Sequence, residues 1–328
     1  MRERIRWGIL GTGGIASRFA TALGELADAE LVAVGSRSAE AAEAFGGRFA
    51  IPRRHPSYAS LVADPEVDVV YVASPHIYHR DHSIMALEAG RHVLVEKPLA
   101  INAAEASAMI AVARERGLFM MEAMWTRFLP LYVELRSTLA AGTLGPIELF
   151  WADFGINPGR TGRRQRLFDS ALGGGALLDL GIYGVSLASM IFGPATRVAA
   201  IARLGESEVD ETGAVLLGYP SGQLAGLCVS IAAATPTEAL VAGPKGSIRV
   251  HRFFNRPSAM TLSLDGRPGE VIERPFAGNG YTFEAAEVMR CLRAGRLESE
   301  VMPLEENLSI MRTMDEIRAQ VGVRYPTE

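Results

Sequence analysis

Residues 5–16 read Ile5-Arg6-Trp7-Gly8-Ile9-Leu10-Gly11-Thr12-Gly13-Gly14-Ile15-Ala16. The apolar run Ile5 to Leu10 ends in glycines, and helical periodicity takes over from Ile15 to Leu26. A G-x-G-x-x-A set directly between a strand and a helix has a mechanical reading. Gly11 permits the tight turn, Gly13 lets the backbone approach a pyrophosphate, and the small Ala16 lets the helix pack close to the strand. The helix N-terminus then offers unpaired N–H groups to phosphate oxygens. Gly11, Thr12, Gly13, Gly14, Ile15 and Ala16 are therefore candidate dinucleotide-binding residues.

Outward from this motif, strand and helix signals alternate. Leu31 to Gly35 is a second apolar run, followed by an alanine-rich helix, Ala39 to Phe49, and a short helix, Ser57 to Val62. Val67 to Ala73 is continuous and β-branched, as a strand buried on both faces should be. Helix His79 to Ala89, strand His92 to Glu96, helix Ala103 to Arg116 and strand Leu118 to Met121 continue the series. Units of this size predict an α/β domain, a doubly wound parallel sheet of Rossmann type, over residues 1–122.

Beyond Glu122 the pattern changes. A helix, Pro130 to Ala140, leads into a strand-like run, Ile147 to Phe154, a Gly/Arg-rich loop and an apolar helix, Gly174 to Phe192. Arg197 to Leu264 reads as strand, turn, strand without an interposed helix, which predicts a mainly antiparallel sheet. Helices Phe283 to Ala294 and Leu304 to Val321 complete an α+β domain over residues 123–328. Helix 304–321 is expected to pack back on the first domain.

Composition narrows the partners. The chain has 328 residues, 48% apolar and 21% charged, which suits two ordinary globular domains. A net charge of -4 offers no basic surface for nucleic acid or membrane. Cys228 and Cys291 have no metal-ligand spacing and read as thiols in a reducing compartment, so a cytoplasmic location is expected. The apolar stretch from Ala176 to Gly193 contains Asp179 and glycines, a poor membrane span.

Cofactor choice is argued from the end of the second strand, Val34-Gly35-Ser36-Arg37-Ser38. An NAD site places a carboxylate there for the ribose 2′-hydroxyl. Ser36 and Arg37 instead suit a 2′-phosphate, so NADP is expected ahead of NAD. Two further loops follow predicted parallel strands, at the edge where open sheets bind ligands. Ser74-Pro75-His76-Ile77-Tyr78-His79 is read as contacting cofactor or capping the next helix. Near His76, His79 and His82 the run offers no thiolate and no carboxylate other than Asp81, so no metal site is expected. Glu96-Lys97-Pro98 presents a lysine fixed by a proline.

These motifs, with the strand VDVVYVASP and the stretch Gly173-Gly174-Gly175-Ala176-Leu177-Leu178-Asp179-Leu180-Gly181-Ile182-Tyr183, resemble the glucose–fructose oxidoreductase, inositol dehydrogenase and MocA family. The resemblance covers essentially the whole chain. Met121 to Phe128 and Gly295 to Ser299 look most like its dimeric dihydrodiol dehydrogenase and NADP-dependent D-xylose dehydrogenase branch. The resemblance implies an open-faced second sheet often used for oligomerisation. It also implies that the lysine of E-K-P, Lys97, shares the proton chemistry with an aromatic or imidazole partner. Many members carry histidine where this chain has Tyr183.

The expected activity is hydride transfer between NADP and a CH–OH group of a sugar, polyol or diol. A phenol titrates near 10 and needs a cationic neighbour to act as a base, so Lys97 is expected to assist Tyr183. Asp179, four residues before Tyr183 on one helix face, would orient substrate or lysine. Trp125, Phe154 and Tyr281 are candidate walls of the substrate pocket, and Glu96 and Trp125 are also candidate cofactor contacts. The cluster Arg160, Arg163, Arg164, Arg166 reads as a solvated loop in preference to an anion site. A non-catalytic dinucleotide-binding sensor would not need Lys97, Asp179 and Tyr183 together. An NAD-dependent glycoside hydrolase would not favour Arg37. The apolar strand faces from Leu224 to Ala234 predict a homodimer or larger homo-oligomer through the second sheet.

Overall fold

The computed structural model describes residues 4–159, 162–326 and 328. The chain forms two compact units, Met1–Trp125 with Ala277–Asn307, and Thr126–Phe276 with Leu308–Glu328. The two continuous segments expected from the sequence, divided after residue 122, differ from this: the chain returns to the first unit for residues 277–307. Within that return a helix buries Ala285, Val288, Met289 and Leu292. No change of composition marks the switch.

The first unit holds six parallel strands: β1 (Ile5–Leu10), β2 (Ala29–Gly35), β3 (Arg53–His55), β4 (Val69–Val72), β5 (His92–Glu96) and β6 (Met120–Ala123). Their order is β3-β2-β1-β4-β5-β6. Helices α1 (Gly14–Leu23), α2 (Ala39–Arg48), α3 (Tyr58–Val62), α4 (His79–Glu88) and α5 (Ala103–Arg116) connect them. Every residue of β1 and β4 is buried, which explains their mostly apolar runs; the charged member, Arg6, is paired with Asp68 and Glu66. Because all six strands are parallel, their carboxyl ends share one edge. The order reverses between β1 and β4, the crevice where open α/β sheets take ligands. β3 is an unexpected strand: three polar residues at the sheet's edge carry no apolar signal.

The second unit begins with α6 (Pro130–Ala140) and β7 (Leu149–Gly155). A π-helical turn, Leu177–Gly181, then runs straight into α7 (Ile182–Phe192). The uniform α-helix expected from Gly174 is thus corrected in its first turn. Seven strands follow: β8 (Arg197–Leu204), β9 (Asp210–Gly218), β10 (Leu224–Ser230), β11 (Ala239–Gly243), β12 (Gly246–Val250), β13 (Ala259–Leu264) and β14 (Glu270–Glu273). The eight-stranded sheet runs β14-β13-β12-β11-β7-β10-β9-β8. It is antiparallel except at its centre, where β7 and β10 pair in parallel, Leu149 opposite Leu224. Helix α8 (Thr282–Arg293) belongs to the first unit, and α9 (Leu304–Val321) carries the chain from the first unit to the second.

One face of the second sheet packs on α7, with Phe150, Ala152, Phe154, Leu227 and Val229 buried. The stretch Ser170–Phe192 is long and apolar enough to cross a membrane by composition, and 78% of it is buried within the protein. The alternate positions Leu149, Trp151, Leu216, Leu224 and Ile201 are exposed, the last by 80%. Trp151, Gly226 and Leu216 stand side by side in the strand register.

Candidate functional site

Immediately after β1, Gly11 stands at φ 112°, a conformation that glycine adopts without strain. A Cβ there would stand 3.1 Å from the Ala73 carbonyl. Gly13 caps α1 without a side-chain bond, and no acidic residue stands in the first turn. A Cβ on Gly13 or Gly14 would meet nothing within 4 Å. Free N–H groups, open space and a helix dipole without a competing carboxylate fit a pyrophosphate. Thr12 and Ile15 are half-buried beside them, and Ala16 is fully buried under the helix.

At the end of β2 both serines are engaged locally. Ser36 accepts from the Ser38 N–H at 3.3 Å, and Ser38 caps α2 by accepting from Ala41 N–H at 3.2 Å. Arg37 is left exposed at the carboxyl edge. Its guanidinium is close enough to His82 to help burial hold that imidazole below its ordinary pKa, against the pull of Asp81. His82 Nδ1 in turn meets Ser74 Oγ at 2.9 Å.

The loops after β4 and β5 are tied to each other by His79. Its ring lies between Ser74 O at 2.9 Å and Pro98 O at 2.8 Å, with no exposed surface. Two carbonyls would suit a doubly protonated ring, but burial outweighs them and pushes the pKa down to about 4. The neutral ring donates to one of the two carbonyls through its single N–H, and with no exposed surface His79 is a brace between Pro75's loop and the lysine turn; the expected cofactor contact gives way to that role. His76 is buried against it, rings 5.6 Å apart. Lys97 is half-buried and precedes a cis proline. Its charge reaches His79. Beneath it Glu96 accepts from the Tyr71 hydroxyl and from Lys97 N–H, so its carboxylate serves the turn. Glu122 secures the far side by accepting from Leu99 N–H at 2.8 Å. Trp125 and Tyr281 stack on each other at 4.6 Å, both buried.

In the second unit Asp179 and Tyr183 are both buried on the π turn and the helix it opens. π turns are rare and often found at functional sites. Arg166 grips Asp179 bidentately, at 2.7 and 3.0 Å. Arg166 is thereby corrected from a solvated loop residue to the partner that a buried carboxylate requires. Arg160 lies outside the described residues, as do the side chains of Arg163 and Arg164. Phe154 lies beside Tyr183, ring centroids 5.7 Å apart. Arg127 holds α7 from behind, donating to Ser186 Oγ at 3.0 Å and Ser186 O at 2.5 Å.

The glycine turn ahead of this helix is clamped by residues the sequence did not single out. Asp210 Oδ2 accepts from Leu177 N–H at 2.6 Å. A side chain on Gly175, at φ 114°, would collide with Asp210 Oδ1. Tyr325 donates to Gly174 O at 2.8 Å, and Arg318 lies over the Tyr325 ring while binding Glu328. Burial, reinforced by Asp179, raises Asp210 to about 7 despite its backbone donors. The structure thus groups Gly11 to Ala16, Ser36, Arg37, Ser74 to His79 and Glu96-Lys97 at one edge of the first unit. It groups Phe154, Arg166, Asp179 and Tyr183 in the second. Among the described residues no cluster could hold a metal ion.

Comparison with known proteins gives consistent matches. A family model described as an oxidoreductase family with an NAD-binding Rossmann fold matches residues 5–124, and a GFO/IDH/MocA C-terminal domain model matches residues 132–249. A trans-1,2-dihydrobenzene-1,2-diol dehydrogenase from Mus musculus is 38% identical, covering 99% of both chains, and its Homo sapiens counterpart is likewise 38% identical over 99% of each. Among solved structures, a 3-ketoreductase from Actinomadura kijaniata in complex with NADP and TDP-benzene superposes with a TM-score of 0.87 at 28% identity, covering 97% of this chain and 98% of that one. An aldose-aldose oxidoreductase from Caulobacter crescentus, complexed with glycerol, gives 0.88 at 28% identity over the same shares.

Asp210 generates a stability prediction. Its folded pKa of about 7 exceeds the unfolded value near 4, so the folded state holds the proton more tightly. Its contribution is fully present below about pH 4 and is lost as pH rises through about 7, a swing on the order of 4 kcal/mol. Urea unfolding of Asp210→Asn should therefore lose that slope relative to the parent protein. Parallel stability–pH curves for the two would contradict the assignment.

Proposed function

The chain belongs to the glucose–fructose oxidoreductase, inositol dehydrogenase and MocA family of NAD(P)-binding oxidoreductases, and from that premise we propose that it moves hydride between NADP and a CH–OH group of a sugar, polyol or dihydrodiol. The observation that carries the reading is the pair of prepared residues: Lys97 braced at the carboxyl edge of β5, and Tyr183 on a helix whose start is fixed by Asp210. The relatives act on a trans-dihydrobenzenediol by name, and the Caulobacter neighbour on aldoses, which supports a small vicinal diol or sugar as the substrate. The NADP found with the ketoreductase neighbour supports the choice of dinucleotide.

When bound, the nicotinamide supplies the hydride acceptor. In the oxidative direction Tyr183, as phenolate, takes the hydroxyl proton of the substrate while the carbon-bound hydrogen departs with its electron pair. Lys97 stabilises the phenolate beforehand and the developing alkoxide oxygen during transfer. Asp179 keeps Arg166 against the helix, and that guanidinium offers donors to substrate oxygens. Phe154 gives the ring of the substrate an apolar wall beside Tyr183. Gly11 to Ile15 receive the pyrophosphate, and Arg37 the 2′-phosphate. The exposed row Trp151, Leu216, Leu224 and Ile201 forms the interface of a homodimer or larger homo-oligomer.

Tyr183→Phe should abolish most turnover with NADP affinity retained. Lys97→Met should also cripple it and move the residual oxidation rate to higher pH, because the phenol loses its cationic neighbour. The double variant should be little worse than either, as for groups acting as one unit. Steady-state kinetics over a pH series decides this, and a Tyr183→Phe protein with near-normal turnover would sink the assignment. Arg37→Ala should cost about 1.5–3 kcal/mol of NADP affinity and leave NAD nearly untouched; fluorescence titration with both dinucleotides reads the difference. Sedimentation at micromolar concentration should show an oligomer, and a monomer would remove the interface.

A further inference from the structure

The glycine turn ahead of the π helix is held on three sides. Gly174 N–H donates to Asp169 O at 2.9 Å and Gly175 N–H to Leu167 O at 2.8 Å, so the turn lies against the backbone that leads out of Arg166. A Cβ on Gly174 would stand 2.6 Å from both Arg166 O and Leu167 O, too close for any side chain. Asp210 takes the Leu177 N–H on the second side. On the third, the Gly174 carbonyl accepts from the Tyr325 hydroxyl at 2.8 Å, across 151 positions of sequence.

Tyr325 is itself fastened. The residue is 3% exposed, and its N–H donates to Glu328 Oε2 at 3.0 Å. The same carboxylate takes both terminal nitrogens of Arg318, at 2.7 and 2.8 Å. Arg318, which Asp315 holds at 2.9 Å, lies over the Tyr325 ring, 5.2 Å from its centroid. Burial, followed by the charge of Asp210, raises the proton affinity of the phenol, so the hydroxyl keeps its proton and donates.

From Gly174 the chain passes through the π turn Leu177–Gly181 directly into α7, so Asp179 and Tyr183 move with whatever holds that turn. The Arg166 side chain closes the circuit on Asp179 at 2.7 and 3.0 Å. A shift at Gly174 therefore displaces the backbone of Arg166 and the π turn together. Without the phenol hydroxyl a buried carbonyl loses this donor, and the turn must move to replace it.

We propose that Tyr325 is a positioning residue for the reaction: its bond to the Gly174 carbonyl, held shut by Arg318 and Glu328, fixes the π turn so that Arg166, Asp179 and Tyr183 present one arrangement to the substrate. The positioning role rests on the reading of Tyr183 given above; the hold on the turn does not.

Hydrogen exchange on the full chain, read by mass spectrometry, and steady-state kinetics test the two parts separately. Tyr325→Phe removes the hydroxyl and leaves the ring under Arg318. In that variant the amides of Leu177 to Tyr183 should exchange about fivefold faster, as for the loss of one buried hydrogen bond, with β1 and β4 unchanged. Kinetics use NADP with trans-1,2-dihydrobenzene-1,2-diol and an aldose as probes. The kcat per NADP-binding site should fall by about tenfold or more, since a misplacement of roughly 1 Å can cost about a hundredfold. KM for NADP should stay the same, because the residues read as its ligands lie in the first unit. Glu328→Ala, which releases the Tyr325 N–H, should move both readouts the same way, and Glu328→Gln, whose carbonyl still accepts, should recover most of the loss. Exchange at the parent rate in Tyr325→Phe would overturn the hold on the turn. Faster exchange with unchanged kcat would mark the bond as structural and overturn the positioning role. Should Tyr325→Phe fold poorly, Glu328→Ala carries both readouts. Near-normal turnover in Tyr183→Phe would instead sink the reading of Tyr183, take the positioning role with it and leave exchange to decide the hold.

Discussion

A carboxylate that leaves water must take its donors from the chain, and four such groups hold the elements on which the chemistry depends. Glu122 anchors the backbone after Pro98, Glu96 the backbone at Lys97, Asp210 the first N–H of the π turn, and Asp179 the guanidinium of Arg166. Each couples a loop or helix start to a buried neighbour. Removing one of the carboxylates that serve backbone N–H groups leaves a buried donor unpaired, a cost on the order of 1–3 kcal/mol. The same groups therefore keep the functional side chains in register and make that register expensive to lose.

Most of the first unit was legible because its signals are local. A parallel strand buried on both faces is apolar along nearly its whole length, as β1 is apart from the ion-paired Arg6, and a glycine turn before a helix follows from backbone geometry alone. β3 escaped because Arg53, Arg54 and His55 sit at an edge where nothing demands apolar residues. β14 escaped for a related reason: Glu270 and Glu273 flank only two apolar residues. In the second unit most strands and the apolar helix were readable, but the π turn that opens the helix and the parallel pairing of β7 with β10 are not written in the local sequence.

The site was legible in its residue types and less so in their partners. The sequence shows that Asp179 in an apolar helix needs a counter-charge; it does not show that Arg166 supplies it, because an arginine in a charged loop is usually solvated. His79 reads as a ligand contact from its place after a strand, whereas its enclosure between two carbonyls depends on Pro98 in a separate loop. Tyr325 and Asp210 carry no motif. Their significance comes from being buried, and burial of a polar residue is decided by the whole packed unit.

The strand β7 has consequences for how the chain is made. Its neighbours in the sheet begin only at Leu224 and Ala239, and the first unit is not complete until residues 277–307 return to it. On a ribosome adding roughly 5–20 residues per second, Leu149–Gly155 emerges seconds before either partner exists. Through that interval Phe150, Trp151 and Phe154 have no sheet to join. The nucleotide-binding unit likewise waits for α8 to be released before Ala285, Val288, Met289 and Leu292 can be buried. The first unit gains its last residues at Asn307 and the second at Glu328, so both close late and β7 waits unpaired for the strands that begin at Leu224 and Ala239.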